Sequence, residues 1–404
     1  MTTNIIITFC TLLLIAYAFD LSASRTRIPS VILLLLLGWT VRLAITWLGI
    51  HLPDFTPLLP VLGTVGLILI VLEGSLELEF NKSKFGLVKA SFWGALLPML
   101  ILAFILAMAF RHYGLYSFKD SLANAIPFCV ISSAIAIPSV RKLASRHKEY
   151  IIYESSLSDI IGVLLFNFIT LNEIIDAASF GEFALQLVIM TAVSIVAIIV
   201  LSYLLNRIEH HIKFVPVILL VVLIYAVTKI YHLPGLIFIM LFGLFIGNLD
   251  ELRHFKWIEK FKPDELKKEV GKFREITSEA AFLIRALFFL LFGYLIETNE
   301  VANPLTFKWA LGIVLCIFII RTLQLKLLKL PIQPLLYVAP RGLITILLFL
   351  SIDPAHTISL VNQSLIIQVI LLTALFMMLG LMTNNPAKPQ QPENKLDKNH
   401  PQGP

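Results

Sequence analysis

Long apolar runs alternate with short polar segments along almost the whole chain. A helix needs about 20 mostly apolar residues to cross the hydrocarbon core of a bilayer. The runs are apolar on every side, whereas strands of a transmembrane barrel would alternate apolar and polar positions. The predicted spans are residues 4–19, 28–50, 58–76, 87–110, 121–140, 151–171, 183–205, 214–228, 233–249, 279–296, 305–325, 333–351 and 363–383. The pattern therefore predicts an all-α polytopic membrane protein with thirteen transmembrane helices.

Composition excludes the main soluble classes. Hydrophobic residues make up 58% of the chain and charged residues 14%, where soluble domains have about 45–50% and about 25%. Disordered proteins, disulfide-built secreted modules and nucleic-acid-binding proteins are thus excluded as descriptions of the whole chain. Cys10, Cys129 and Cys316 lie inside apolar runs and are expected to be core residues. No resident cofactor and no enzyme activity are expected, because the histidines lie in or near loops and the cysteines have no catalytic neighbour.

Loop charges predict the orientation in a cell membrane. If successive loops alternate sides, one side carries 24 Lys and Arg residues and the other carries 4. Because cytoplasmic loops carry the excess of positive charge, the N-terminus is predicted outside and the C-terminus in the cytoplasm. Residues 250–278 mix aromatic and basic residues, which fits either an amphipathic helix on the inner surface or an ordinary linker. Residues 1–383 form the predicted transmembrane domain, and the polar, proline-rich residues 384–404 a disordered cytoplasmic tail.

Besides Lys89, Glu279 and Lys308 near span ends, seven charged residues fall inside the predicted spans, where each costs about 2.5–3.5 kcal/mol on insertion scales. They are Arg42, Glu73, Glu154, Asp159, Arg285, Arg321 and Arg341. Such groups pair, lose their charge or mark an ion pathway. Arg285 is expected to extend to the cytoplasmic face. The others are candidates for function.

The run from Glu154 to Asp159 carries the strongest chemical signal. Ser155 and Asp159 are four residues apart and share one helix face, whereas Glu154 and Ser158 share a neighbouring face. A carboxylate with hydroxyl co-ligands suits either a hard monovalent cation or a proton. Arg321 lies in an otherwise uncharged run, so Glu154 is its predicted partner. Alternatively, Glu154 and Asp159 mark the start of a helix, where the helix dipole favours acidic residues. The alternative to the ion pair is that the Arg321 side chain extends to the membrane surface.

Two interrupted spans predict an inverted repeat. Residues 1–175 and 214–383 can form two repeats, in which span 121–140 corresponds to span 333–351. The interrupting residues are Pro127, Ser132, Ser133, Pro138, Pro334, Pro340, Arg341 and Gly342. Transporters place such broken helices together near the membrane midplane. Unwound carbonyls and the two serine hydroxyls are therefore expected beside Asp159, and Arg341 is expected to place a fixed positive charge where half-helix ends meet.

These residues together resemble the monovalent cation:proton antiporter family, of the NhaP-like and sodium/proton exchanger type. The run Glu154-Ser155-Ser156-Leu157-Ser158-Asp159 resembles the family's Glu-Ser-Leu-Leu-Asn-Asp, Pro340-Arg341-Gly342 its Leu-Arg-Gly, Leu72-Glu73-Gly74 its Phe-Glu-Gly, and Ser132-Ser133-Ala134 its Thr-Asp-Pro. The resemblance covers residues 1–383, and only the first two motifs are specific. Ser158 replaces the family's Asn, and Ala134 replaces its Asp.

The resemblance implies electroneutral exchange of a monovalent cation (Na⁺, K⁺ or Li⁺) for H⁺ at Asp159, by a protein that forms a homodimer in the lipid bilayer. The predicted cation- and proton-binding residues are Asp159, Ser155, Ser158, Ser133, Ser132 and Glu73. Glu154 and Arg321 would form a structural ion pair. The alternative is a sodium-coupled symporter of a small organic anion on a related inverted-repeat fold, in which Arg341 would bind the substrate carboxylate.

Overall fold

The computed structural model describes residues 2–26, 28–49, 53–78, 82–140, 143–173, 175–207, 214–231, 233–248 and 263–383. Over these ranges the chain is helical, with no strand. The α-helices are α1 (Thr2–Thr26), α2 (Ser30–Trp47), α3 (Leu58–Glu77), α4 (Phe85–Gly114), α5 (Phe118–Ala125), α6 (Ser133–Ser139), α7 (Ser145–Leu171), α8 (Ala177–Arg207), α9 (Phe214–Ile230), α10 (Gly235–Gly247), α11 (Pro263–Leu295), α12 (Thr298–Val301), α13 (Pro304–Leu327), α14 (Leu343–Leu350) and α15 (Gln363–Thr383).

Each of the thirteen predicted spans contains helix. Within the described ranges, ten helical stretches are long and apolar enough to cross a membrane, one of them formed by α5 and α6 together. The helices α9 and α10 are apolar but shorter, and the predicted span 333–351 contains only the eight residues of α14. The prediction of an all-α polytopic membrane protein is confirmed.

The helices pack as two groups. In the first, which we call the α3 group, α2 and α11 pack together, α3 packs on α10 and α11, and α8 and α9 pack on α10. In the second, the α7 group, α4 packs on α5, α7 and α13, α6 packs on α7, and α13 packs on α15. The two groups meet where α3 contacts α7, α6 and α14. The broken helices thus lie at the junction between the groups.

Glycines permit the closest helix contact in the α3 group. A Cβ atom at Gly38 of α2 would overlap the backbone of Leu290 and Tyr294, and one at Gly293 of α11 would overlap the backbone of Leu35. Backbone atoms cannot rotate away as side chains do, so both positions require glycine. Small residues serve the same purpose in other membrane helix pairs.

The predicted boundary at residue 278 is not a helix boundary. Residues 263–278 form the first half of α11, which continues unbroken to Leu295 over 33 residues, about 50 Å at 1.5 Å per residue. Residues 263–278 are therefore helical and continuous with the predicted span 279–296, and the surface location predicted for 250–278 stays a prediction. Phe273 is fully buried, with rings of Phe214 and Phe242 about 6 Å away. Residues 250–262 and the predicted tail 384–404 lie outside the described residues.

Candidate ion-binding site

Two interrupted helices cross at the junction. Helix α5 ends at Ala125, a 3₁₀ turn covers Ile126–Phe128, and α6 begins at Ser133. In the second repeat, residues 340–342 are non-helical and lead into α14. The amide N–H of Ser132 donates to the carbonyl oxygen of Pro340 at 2.9 Å. The predicted counterparts therefore contact each other directly through their unwound backbones.

Glycine at 342 occupies a crowded position. Its φ is −171°, which is extended backbone that any residue adopts. A Cβ atom would instead press on the Ser132 hydroxyl and on the Ile135 side chain. Gly342 thus favours the close approach of the two unwound segments.

Asp159 lies at this crossing with a 1% exposed side chain. One of its carboxylate oxygens, Oδ2, accepts hydrogen bonds from the hydroxyl of Ser133 and from the Ser133 amide, the latter at 3.3 Å. The second oxygen, Oδ1, and the hydroxyl of buried Ser132 have no hydrogen-bond partner. Among the described residues, no lysine or arginine pairs with Asp159. An acid and a hydroxyl without partners are groups that a small cation or a proton can satisfy.

Two serines of the α7 motif, Ser155 and Ser158, form hydrogen bonds with backbone groups. The hydroxyl of Ser155 donates to the carbonyl oxygen of Ile151 in its own helix at 2.7 Å. The hydroxyl of Ser158 accepts from the amide of Ile131 at 2.9 Å and so braces the first unwound segment. Both are buried. Their hydroxyls serve the backbone here, and their predicted role as cation ligands stays a prediction.

Glu73 lies on α3, in the group opposite Asp159. Its carboxylate accepts a 2.5 Å hydrogen bond from the hydroxyl of Ser278 on α11. The hydrogen bonds of Asp159 are made with Ser133, so the structure does not join the two acids. Ser156, three residues before Asp159, lies against Gly74 and has a buried hydroxyl without a partner. Glu73 thus bonds within the α3 group, and its predicted role at the cation site stays a prediction.

Glu154 and Arg321 come together as a buried ion pair. Their side chains are 1% and 2% exposed, and the Arg321 guanidinium donates to the Glu154 carboxylate. The same carboxylate oxygen accepts from Gln324 at 2.5 Å and from the Tyr150 hydroxyl at 2.9 Å. Sequence reasoning missed both of these partners. Their spacing was available as a signal, because Tyr150 is one turn before Glu154 and Gln324 is one turn after Arg321.

Arg321 also holds the second unwound segment. Its guanidinium donates to the carbonyl oxygen of Leu335 at 3.2 and 3.3 Å and to that of Val338 at 3.3 Å. One arginine therefore joins α7, α13 and the backbone that precedes the crossing. The Leu335 carbonyl also accepts from the Val338 amide at 3.2 Å, so the arginine adds to the bonds of this turn. The prolines of this span predict an interruption, but they do not reveal from sequence alone which side chain binds the carbonyl oxygens there.

Arg341 binds helix-end carbonyls, as a fixed positive charge at this place would. Its guanidinium donates to the carbonyl oxygen of Phe128 at 2.6 Å and to that of Ala339 at 2.8 Å. A cavity of about 20 Å³ lies beside it, with Ser158 and Arg321 also in its wall, about the room that one water molecule needs. Arg341 is buried. It thus neutralises the ends of the unwound segments.

Arg285 does not reach the surface, contrary to the sequence-based expectation. It is 6% exposed in α11, on the helix face that carries Ala281 and Phe288, both buried. Residues four and three positions away share a face, which places the arginine stem among core side chains. The Arg42 side chain on α2, in contrast, reaches the C-terminal end of α11. There it donates to the Leu295 carbonyl at 2.9 Å and pairs with Glu297 at 3.1 Å.

Comparison with known proteins places these features in context. Residues 10–384 match the family model described as sodium/hydrogen exchanger, transmembrane. Two solved structures of the sodium proton antiporter MjNhaP1 from Methanocaldococcus jannaschii are similar. One, at pH 8, has 17% identity and a TM-score of 0.67 and covers 95% of this chain and 96% of that one. The other, an electron-microscopy map, has 18% identity and a TM-score of 0.68 and covers 96% and 100%. No curated protein matches. The predicted antiporter fold is confirmed.

Proposed function

The chain belongs to the sodium/hydrogen exchanger family, and on that premise we propose that it exchanges a monovalent cation for a proton by competition at Asp159. The observation that supports this best is the state of its carboxylate. It is buried at the crossing, one oxygen is hydrogen-bonded to Ser133, and the other has no partner. The vacant oxygen and the adjacent Ser132 hydroxyl provide ligands for a dehydrated cation of the class Na⁺, K⁺ or Li⁺.

Competition follows from the cost of a buried charge. An ionised carboxylate without a counterion is strongly disfavoured away from water. A proton removes that charge, and a monovalent cation balances it. The two ligands thus satisfy the same oxygen and exclude each other. Alternating access would then come from motion of the α7 group against the α3 group around the crossing.

The charge balance at the site favours electroneutral exchange. Glu154 and Arg321 neutralise each other, and Arg341 contributes the same charge whichever ligand is bound. The site carries the same net charge with a cation on ionised Asp159 as with a proton on it. One cation exchanged for one proton therefore moves no net charge, so a membrane potential should not drive the cycle.

The test is proton flux in reconstituted vesicles, with Na⁺, K⁺ and Li⁺ added in turn and the potential clamped. Asp159→Asn keeps the size of the side chain and its acceptor for Ser133, but it cannot carry the charge. We expect no cation-dependent flux in this variant and normal flux in Asp54→Asn, which neutralises an exposed loop acid. Flux that persists in a folded Asp159→Asn protein would contradict the mechanism.

Arg341 gives little support to the alternative symporter function. Its guanidinium is engaged by two backbone carbonyls, so it would have to leave them to bind a substrate carboxylate. A salt-only assay separates the two functions, because a symporter needs an organic solute and an exchanger does not. Proton flux driven by salt alone supports exchange, and flux that appears only with an organic anion contradicts it.

The orientation and assembly are proposed as the sequence predicts them. We place the N-terminus outside and the C-terminus in the cytoplasm on the distribution of loop Lys and Arg, and we expect a homodimer from the family resemblance. Protease cleavage of the C-terminal tail in everted but not in right-side-out vesicles tests the orientation. The mass of the protein in detergent tests the dimer.

A further inference from the structure

A second cavity, of about 260 Å³, lies away from the crossing near the C-terminal end of α7. Its polar wall is formed by Asn167 and Asn172 on one side and by Glu182 and Gln186 of α8 on the other. Pro234, just before α10, also lines it. It therefore opens between α7 of one group and α8 and the start of α10 of the other.

The cavity lies beyond Asp159 on the same helix. Asn167 follows Asp159 by eight residues, or about 12 Å along the helix axis. Three buried apolar side chains of α7, Ile160, Val163 and Phe166, lie between them in sequence. The N-terminal end of α7 includes Arg146 and Lys148 of the basic segment 141–148, which the loop charges predict to be cytoplasmic. The cavity is thus at the outer end of α7.

Its lining fits a cation better than it fits an anion or an apolar ligand. Glu182 is exposed and makes no hydrogen bond or ion pair with any residue that the structure describes. Asn167 and Gln186 are half-buried and add amide oxygens. No lysine or arginine lines the cavity. Asn172 donates its amide to the Phe168 carbonyl at 2.8 Å, which leaves its own side-chain oxygen available.

We propose that this cavity is the outer vestibule through which the transported monovalent cation reaches Asp159, and that Glu182 concentrates cations in it. The proposal rests on the proposed exchange function. A single exposed carboxylate is too weak to hold an ion for long. It raises the local cation concentration by about two- to threefold at a separation of several ångströms in water, and that gain falls as salt screens it.

The experiment compares Glu182→Gln with Glu173→Gln, the matched control. Glu173 is an exposed acid in the adjoining outer segment that does not line the cavity. Right-side-out vesicles receive the cation on the outside, and everted vesicles receive it from the cytoplasmic side. We expect Glu182→Gln to raise the KM for external cation about two- to threefold at low ionic strength, with unchanged maximal rate. The difference should vanish at high salt and in everted vesicles.

A second measurement tests the path itself. Gln186→Cys is modified from outside with a membrane-impermeant trimethylammonium methanethiosulfonate, and the unsubstituted chain is treated in parallel, because Cys10 is exposed in both. A fixed positive group in the vestibule should inhibit exchange by about tenfold or more, whereas a sulfonate reagent of similar size should inhibit less. Complete modification without inhibition would overturn the proposal.

The outcomes separate this proposal from the function on which it depends. If the unsubstituted chain shows no cation-dependent flux, the exchange function fails. If it exchanges normally but Glu182→Gln has the same KM as Glu173→Gln, the exchange function stands and the vestibule is wrong. Equal effects of Glu182→Gln from both sides of the membrane would also overturn the vestibule, since they would indicate a general loss of transport.

Discussion

Replacing Glu154 by glutamine removes the carboxylate partner of Arg321 while keeping the size of the side chain and an acceptor for Tyr150. Arg321 then remains charged and 2% exposed with only carbonyl and amide oxygens around it. Breaking a buried ion pair by removing one partner costs about 3–5 kcal/mol. With a shift of about 2 °C per kcal/mol for a large domain, the melting temperature should fall by about 6–10 °C.

The assay is thermal unfolding of the purified protein in one detergent, with the double variant Glu154→Gln, Arg321→Gln alongside. Neither charge is left in the double variant, so part of the loss should return, and the coupling between the two positions should be large. Recovery is partial because the carbonyls of Leu335 and Val338 lose their donor. Lys84→Met is the control, since it breaks a partly exposed pair, with side chains 24% and 32% exposed, of the surface kind that contributes about 0–1 kcal/mol.

Two results would refute the reasoning. One is a Glu154→Gln protein that unfolds at the same temperature as the unsubstituted chain. The other is a double variant no more stable than the single one, which would mean that the stranded charge is not the cause. If the double variant folds, it should retain cation-dependent flux, because Asp159 is untouched. Loss of flux in a stable double variant would assign the pair a direct part in transport.

The hydroxyl of Ser133 and the glycine at 293 give two further predictions. Ser133→Ala removes a hydrogen bond to the charged form of Asp159, an interaction with a contribution of about 1.5–3 kcal/mol, so the KM for the cation should rise by about tenfold or more; a KM unchanged in a folded variant would contradict this. Gly293→Ala should lower the melting temperature, because its Cβ would meet the backbone of Leu35, whereas Gly312→Ala, which faces open space in its helix, should leave it unchanged or raise it slightly. Equal effects of the two alanines would argue against the close contact.

Hydrophobic runs were enough to predict the helices, because a span must satisfy its backbone internally and be apolar over a fixed length. The interruptions at Pro127 and Pro340 could also be predicted, since proline removes a helix hydrogen bond. The extent of α11 could not. The charges near Arg274 resemble a surface segment in composition, but no proline or close glycine contact ends the helix there, and Phe273 finds a buried site.

The sequence names candidate residues for the site, but it does not predict which hydrogen bonds these residues form. Helical spacing places Ser155 and Asp159 on one face, but it does not say which hydroxyl turns to its own backbone. The hydroxyls of Ser155 and Ser158 both form hydrogen bonds with backbone groups here. Likewise the apolar run around Arg321 identifies it as a buried charge that needs a partner. The Leu335 carbonyl becomes an acceptor only because the interrupted span 14 residues later folds back beside Arg321.

The contacts of Arg321 have a consequence for motion. A side chain bonded at once to α7, α13 and the unwound backbone at Leu335 and Val338 allows these three to shift only together, since separating any one of them would strand a charge or a carbonyl in a dry interior. Asp159 lies on α7 five residues after Glu154, the acid of this hydrogen-bonded unit. If the proposed exchange at Asp159 is correct, the displacement that turns this acid from one aqueous side to the other is a rigid translation or rotation of the whole bonded unit, with the bending left to the segments that join the two helix groups.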